Sequence, residues 1–234
     1  MRLTSVVKFG LIVVASILVA NTAFAQCKSE VTLVVFKTRH LHRYDDQIPK
    51  GDYVSYAYQL SATDELLFVV HATPIGPHVR ELLITRNGLT AQRILMRNLP
   101  ELRNDTFYAE NFTALTVTRA CANNTPIYFV AMGYAGDITS GDLYFIVVPM
   151  DSDYKVSALP VTSGGTIEIS RSNPFNIRTW DNLHEGSCNA CETRYRVADF
   201  TIKDGIPIKT RRYRTHRLYT SGQFDDLRRV RFIP

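Results

Sequence analysis

Asn87-Gly88 stands between two runs of eight residues, Val79–Arg86 and Leu89–Met96. Both turn residues tolerate the positive φ that a type I′ turn requires, and that turn twists in the same sense as the strands it joins. Such a tight connection joins antiparallel neighbours, so this stretch reads as a β-hairpin. The rest of the chain is consistent with it, because no long segment sustains a 3.6-residue apolar period. Val31–Phe36 is β-branched and apolar, Asp52–Leu60 carries Tyr53, Tyr56 and Tyr58, and Leu66–His71 is closed by Pro74, Gly76 and Pro77. A short helix is expected only within Leu99–Tyr108.

Three stretches share one plan of an apolar strand, a loop and a two-stranded meander. They are Glu65–Met96, Ile127–Val161 and Thr166–Tyr213, with meander turns at residues 87–88, 151–153 and 203–205. The expectation is an all-β fold of antiparallel meander repeats, propeller-like, with a β-sandwich as the alternative. A propeller of at least four blades would need the strands at 31–36 and 53–60 to supply the fourth. Asp151-Ser152-Asp153 is only a fragment of the Asp-rich calcium loop found in many secreted propellers.

The N-terminus suggests where such a fold matures. Arg2 and Lys8 precede the apolar run Phe9–Ala20, and Ala23-Phe24-Ala25 puts small residues at −3 and −1 of a cut before Gln26. That is the layout of a secretory signal peptide. The run is shorter than the roughly 20 residues that a hydrocarbon core of about 30 Å demands. Residues 1–25 therefore read as a signal peptide and 26–234 as a single all-β domain that is extracytoplasmic, periplasmic or secreted, and not an integral membrane protein. Gln26 before Cys27 argues against a lipoprotein cleavage box. An apolar fraction of 45% and a charged fraction of 21% suit a globular chain and exclude disorder.

Cys27, Cys121, Cys188 and Cys191 are an even set, which in an oxidising compartment reads as two disulfides. The expected pairs are Cys27–Cys121 and Cys188–Cys191. The spacing Cys188-Asn189-Ala190-Cys191 also occurs in redox enzymes and zinc sites. Redox use calls for a helix N-terminus in a βαβ setting, and zinc would need more ligands than His184 adds.

Charge is uneven along the chain. Residues 194–234 hold 11 basic and 4 acidic residues, whereas 26–193 hold 14 basic and 18 acidic. Outside the cytoplasm a basic segment faces an anionic glycan, envelope lipid or acidic protein rather than nucleic acid. If Arg194–Phe200 and Arg212–Tyr219 are strands, alternation puts Arg194 and Arg196 on one side of the first. Arg212, Arg214 and His216 then share a side of the second. Tyr195, Val197, Tyr213 and Tyr219 take the opposite sides, as a core-facing layer. The four arginines are the candidate anion-binding residues, and the plainer reading is a charged edge that discourages strand pairing.

Other chemistry finds little support. His40-Leu41-His42 with Asp45 and Asp46 would suit a metal only if the segment were extended, and it also suits a wet surface. No G-x-S-x-G or H-E-x-x-H occurs, so catalytic residues are unknown and no metal or cofactor is implied. A carboxylate pair of the glycosidase kind is not legible in sequence. Trp180 serves either as a stacking platform for sugar or as core packing. The sequons at Asn104, Asn111 and Asn123 matter only in a eukaryotic secretory pathway. The expected function is an exported, non-catalytic β module that binds a protein, glycan or envelope surface. The alternative is a secreted or periplasmic polymer hydrolase with a loop-assembled site.

Export should remove residues 1–25. Intact-mass measurement of the exported protein is expected to give a chain starting at Gln26, and a retained N-terminus or an acylated Cys27 would contradict this.

Overall fold

The computed structural model describes residues 27, 30–35, 41–73, 76–100, 114–122, 124–134, 141–162, 165–170, 172–183, 185, 192–219 and 231–233. The signal segment, the bulk of the helix expected in Leu99–Tyr108, the sequon asparagines, His40, His184, Cys188 and Cys191 lie outside them.

The chain is all-β and builds three four-stranded antiparallel meanders in sequence order. After β1 (Glu30–Val35), the first sheet holds β2 (Asp52–Gln59), β3 (Asp64–Thr73), β4 (Gly76–Arg86) and β5 (Leu89–Leu95). The second holds β6 (Ala114–Ala122), β7 (Thr125–Tyr134), β8 (Gly141–Pro149) and β9 (Tyr154–Thr162), with β1 added antiparallel beside β6. The third holds β10 (Thr166–Ser170), β11 (Asn176–Asn182), β12 (Tyr195–Lys203) and β13 (Ile206–Arg214). There β14 (Arg231–Ile233) runs parallel to β10. The three anticipated turns are the last hairpin of each meander. Asn87 and Gly88 have φ of 53° and 78°, and Asp204 and Gly205 have 51° and 74°. These are the signs a type I′ turn demands.

The first two repeats start one strand earlier than their apolar patterns suggested, at β2 and β6, whereas the third starts at β10 as expected and gains β11 within its loop. In the first, the opening strand is the half-exposed, tyrosine-bearing β2, which is amphipathic rather than apolar. The strands considered for a fourth blade are thereby used elsewhere, β1 on the second sheet and β2 in the first. Among the described residues there is no fourth meander, and no core cluster joins the first sheet to the third. The meanders stack face to face like blades, in an open series.

The order of layers follows from the middle sheet. Ile127–Ala131 and Leu143–Val148 are buried throughout. Tyr128, Val130, Leu143, Phe145 and Val147 face the first sheet, where they meet Leu66, Phe68, Leu82 and Ile84. Ile127, Phe129, Tyr144, Ile146 and Val148 face the third, against Ile167, Ile169, Ile177 and Ile202. Burying each such side chain is worth about 1.5–3 kcal/mol, which makes the two interfaces the main source of stability. At the third sheet's turn, a Cβ on Gly205 would lie 2.6 Å from Lys155 Cβ. Only glycine lets this hairpin seat against the second sheet.

Polar bonds align the first two layers. The Arg86 guanidinium grips Asp64, Nε to Oδ1 at 3.2 Å and Nη2 to Oδ2 at 3.1 Å. Thr63 and, from the second sheet, the Tyr154 hydroxyl also donate to Asp64, at 2.7 and 2.9 Å. Gln92 bonds the Tyr154 main chain in both directions. The Arg86 bond chiefly holds the Asp64 carboxyl below its ordinary pKa. Burial and then the Asp64 bond push the Tyr154 hydroxyl up.

The Cys27–Cys121 disulfide is present, with Cα atoms 5.7 Å apart and a sequence separation of 94. A crosslink over a loop of that size stabilises by about 4–5 kcal/mol in the chain-entropy account.

A depressed carboxyl pKa contributes stability that is complete above the ordinary value of about 4 and fades as pH falls through the folded value. Asp64→Ala should cost about 2 kcal/mol at neutral pH. Chemical denaturation of parent and variant should show the gap narrowing below about pH 4, and a gap independent of pH would rule out the charged pairing.

Candidate functional site

The third sheet gathers most of the residues singled out from sequence. Its β12–β13 pairing shifts register between Asp199 and Phe200, leaving Thr210 as the extra residue. Beyond that bulge Ala198 faces Arg212, Val197 faces Tyr213, and Arg196 faces Arg214. Arg196, Arg212 and Arg214 consequently share the face that elsewhere packs on the second sheet, and all three are exposed.

Three of the four candidate arginines hold carboxylates. Glu185 accepts from Arg194 Nη1 at 3.2 Å and from Arg214 Nη2, and these bonds, Arg214's foremost, hold its carboxyl below the ordinary range. Arg196 lies 3.6 Å from Asp181, its partner across β11. Arg212 is exposed on β13 with no carboxylate partner among the described residues. The second run is not a strand as far as residue 219, since β13 ends at Arg214. Thr215 then bonds Tyr195 and Tyr219 bridges back to Thr193, so His216 does not extend the arginine row. The chain bends here because Thr215 turns its hydroxyl to the main chain, accepting from Tyr195 N and donating to Arg217 O.

The opposite face holds the expected aromatic layer as a cluster of its own, not as part of the inter-sheet core. Tyr195 and Val197 are buried under Trp180, Tyr213 and Tyr219. Trp180, Tyr195 and Tyr219 meet edge to face at centroid distances of 5.8–6.0 Å. Trp180 Nε1 donates to Glu168 at 2.9 Å, so this ring is packed and tethered.

One row on this face was not visible in the sequence. Register places Glu168, Arg178, Asp199 and Arg211 side by side on successive strands, with Arg231 opposite Glu168 on β14. Signs alternate across the sheet. Arg178 Nε donates to Asp199 Oδ1 at 2.6 Å, and that bond raises the guanidinium pKa further. Arg211 lies over the Tyr213 ring at 4.8 Å. Each charge looks isolated along its own strand, and only pairing across the bulge brings them together. Beside this row is a concavity of about 380 Å³ lined by Ser170, Asn176, Arg178, Asp199, Thr201 and Thr210, with Ile177 and Phe200.

Elsewhere, Asp52, with a fully buried side chain, binds His71 Nδ1 and lies 3.2 Å from Arg80 Nη1. His42 is on a 3₁₀ turn (His42–Tyr44) and contacts Asp45 at 3.0 Å, so the extended geometry that would pair it with His40 does not continue through it. Among the described residues no group of three or more His, Cys, Asp or Glu converges on a metal position. Among them, too, no helix is long and apolar enough to cross a membrane. No protein-family model, curated protein or solved structure matches this chain.

Trp180 is the one tryptophan, so its fluorescence reports on this face alone. Tyr219→Ala should shift the emission to longer wavelength while leaving the thermal midpoint within a few degrees. An unchanged spectrum would show that Tyr219 does not cover the indole.

Proposed function

We propose that this is an exported, non-catalytic β module that binds an anionic partner through the basic edge of its third sheet. The observation that carries the reading is β13. It is the outermost strand of its sheet among the described residues and presents Lys209, Arg211, Arg212 and Arg214, all exposed. Exposed cations on a rigid strand suit phosphate, sulfate or carboxylate groups, and arginine's planar fork binds such groups bidentately. The disulfide is compatible with an extracytoplasmic address, since such bonds persist in oxidising compartments. Arg194, Arg196 and Arg214 enter as a preset frame, held by Glu185 and Asp181, with Arg212 beside them.

A second reading, a polymer hydrolase, is favoured by Asp52 and His71 alone, which are paired on strands β2 and β3 rather than assembled from loops. A buried carboxylate on the Nδ1 of an imidazole is the arrangement that orients a general base.

The triple variant Lys209→Glu/Arg211→Glu/Arg212→Glu reverses the edge and leaves the Glu185 clamp intact. The parent should be retained on a sulfated glycan column, on anionic phospholipid vesicles or on polyglutamate, with retention falling as salt rises. The folded variant should lose at least tenfold in affinity. Retention of none of the three by the parent, or equal retention of parent and variant, would reduce the edge to a device against aggregation.

A further inference from the structure

The concavity on the aromatic face of the third sheet has its own hydrogen-bonding inventory. Asn176 and Arg178 on β11 lie opposite Thr201 and Asp199 on β12, so their side chains share one face. Ile177, between them, points the other way into the core. Ser170 and Thr210 bring in β10 and β13, so four strands hold the walls and little has to be ordered on binding. The bulge at Thr210 opens the sheet at this point, as bulges do beside binding sites.

The internal bonds leave both donors and acceptors over. Arg178 uses Nε on Asp199 Oδ1, and its Nη1 and Nη2 have no protein partner among the described residues. The same holds for Asp199 Oδ2. Thr201 donates to Asn176 Oδ1, which leaves the Asn176 amide hydrogens and the Thr201 lone pairs. Thr210 donates to the Asp199 carbonyl and keeps its own lone pairs. The side chains of Arg178 and Asp199 are 34% and 22% exposed, so solvent or a ligand reaches them.

The charges cancel. An anion would compete with Asp199 for Arg178, and a cation would compete with Arg178 for Asp199. A hydroxyl has neither conflict, because it accepts from the guanidinium while donating to the carboxylate. A ring bearing adjacent hydroxyls uses the Arg178–Asp199 pair and the Asn176–Thr201 pair together. A volume of about 380 Å³ is at the lower end of small-molecule sites, the size of a single sugar ring with room for a substituent.

We infer that this concavity is a saccharide site that seats one uncharged pyranose, gripped by Arg178, Asp199, Asn176 and Thr201. It adjoins the basic edge at Thr210 but does not rest on that reading. The two are distinguishable by salt, because an uncharged sugar is insensitive to it.

Backbone amide NMR of the isolated protein at high salt would test this. The probes are methyl α-glucopyranoside, methyl α-mannopyranoside, methyl β-galactopyranoside and N-acetylglucosamine, titrated separately. At least one should produce saturable shifts at Asn176, Arg178, Thr201 and Thr210. Asn176→Ala and Asp199→Asn should each weaken it about tenfold or more, with the rest of the spectrum unchanged for the exposed Asn176 site. No saturable shift at these amides with any of the four sugars would overturn the inference. Shifts that persist undiminished in a folded Asn176→Ala/Thr210→Ala double variant would do the same.

Discussion

A sheet buried on both faces has no side on which to place a polar residue, and the middle meander accepts that condition. Its two central strands are apolar at nearly every position, and alternation hands successive residues to opposite neighbours. The first and third sheets are needed to cover it, so the layer order is fixed before any loop is considered. Such a sheet is also intolerant. A charge introduced at Phe129 or Phe145 would be stranded in the core with no partner, at a cost of several kcal/mol.

Burial is non-directional and leaves the layers free to slide, so registration falls to a few polar contacts. Asp64, Arg86 and Gln92 of the first meander and Tyr154 of the second tie these two sheets together. The absent Cβ of Gly205 fixes the third on the second. All these contacts lie at or beside hairpin turns. The opposite rim is where connections lengthen, and there the arginine and carboxylate framework of the third sheet is built.

Much of the architecture was legible because turns and alternation are local. Asn87-Gly88 and Asp204-Gly205 announced two hairpins, and the apolar runs announced the middle sheet. Unit boundaries were less clear, because β2 is amphipathic and resembles an edge rather than the start of a repeat. The candidate site was half legible. Alternation separated Arg196 from Tyr195 and Val197, but the bulge at Thr210 cannot be seen in a string of residues. An unbroken ladder from the turn at 204–205 would put Arg212 opposite Val197, on the aromatic side. The charged row of Glu168, Arg178, Asp199 and Arg211 depends on three successive registers, none of which is local.

The crosslink from Cys27 to Cys121 spans more than a flexible loop, for the entire first sheet lies between its two ends. Tension applied between the two termini would pass from residue 27 to residue 121 through a covalent bond. The first sheet would then hang outside the load path, as a slack branch of the chain. Only the second and third sheets would have to resist the pull, and reduction of one bond would bring the first into line with them.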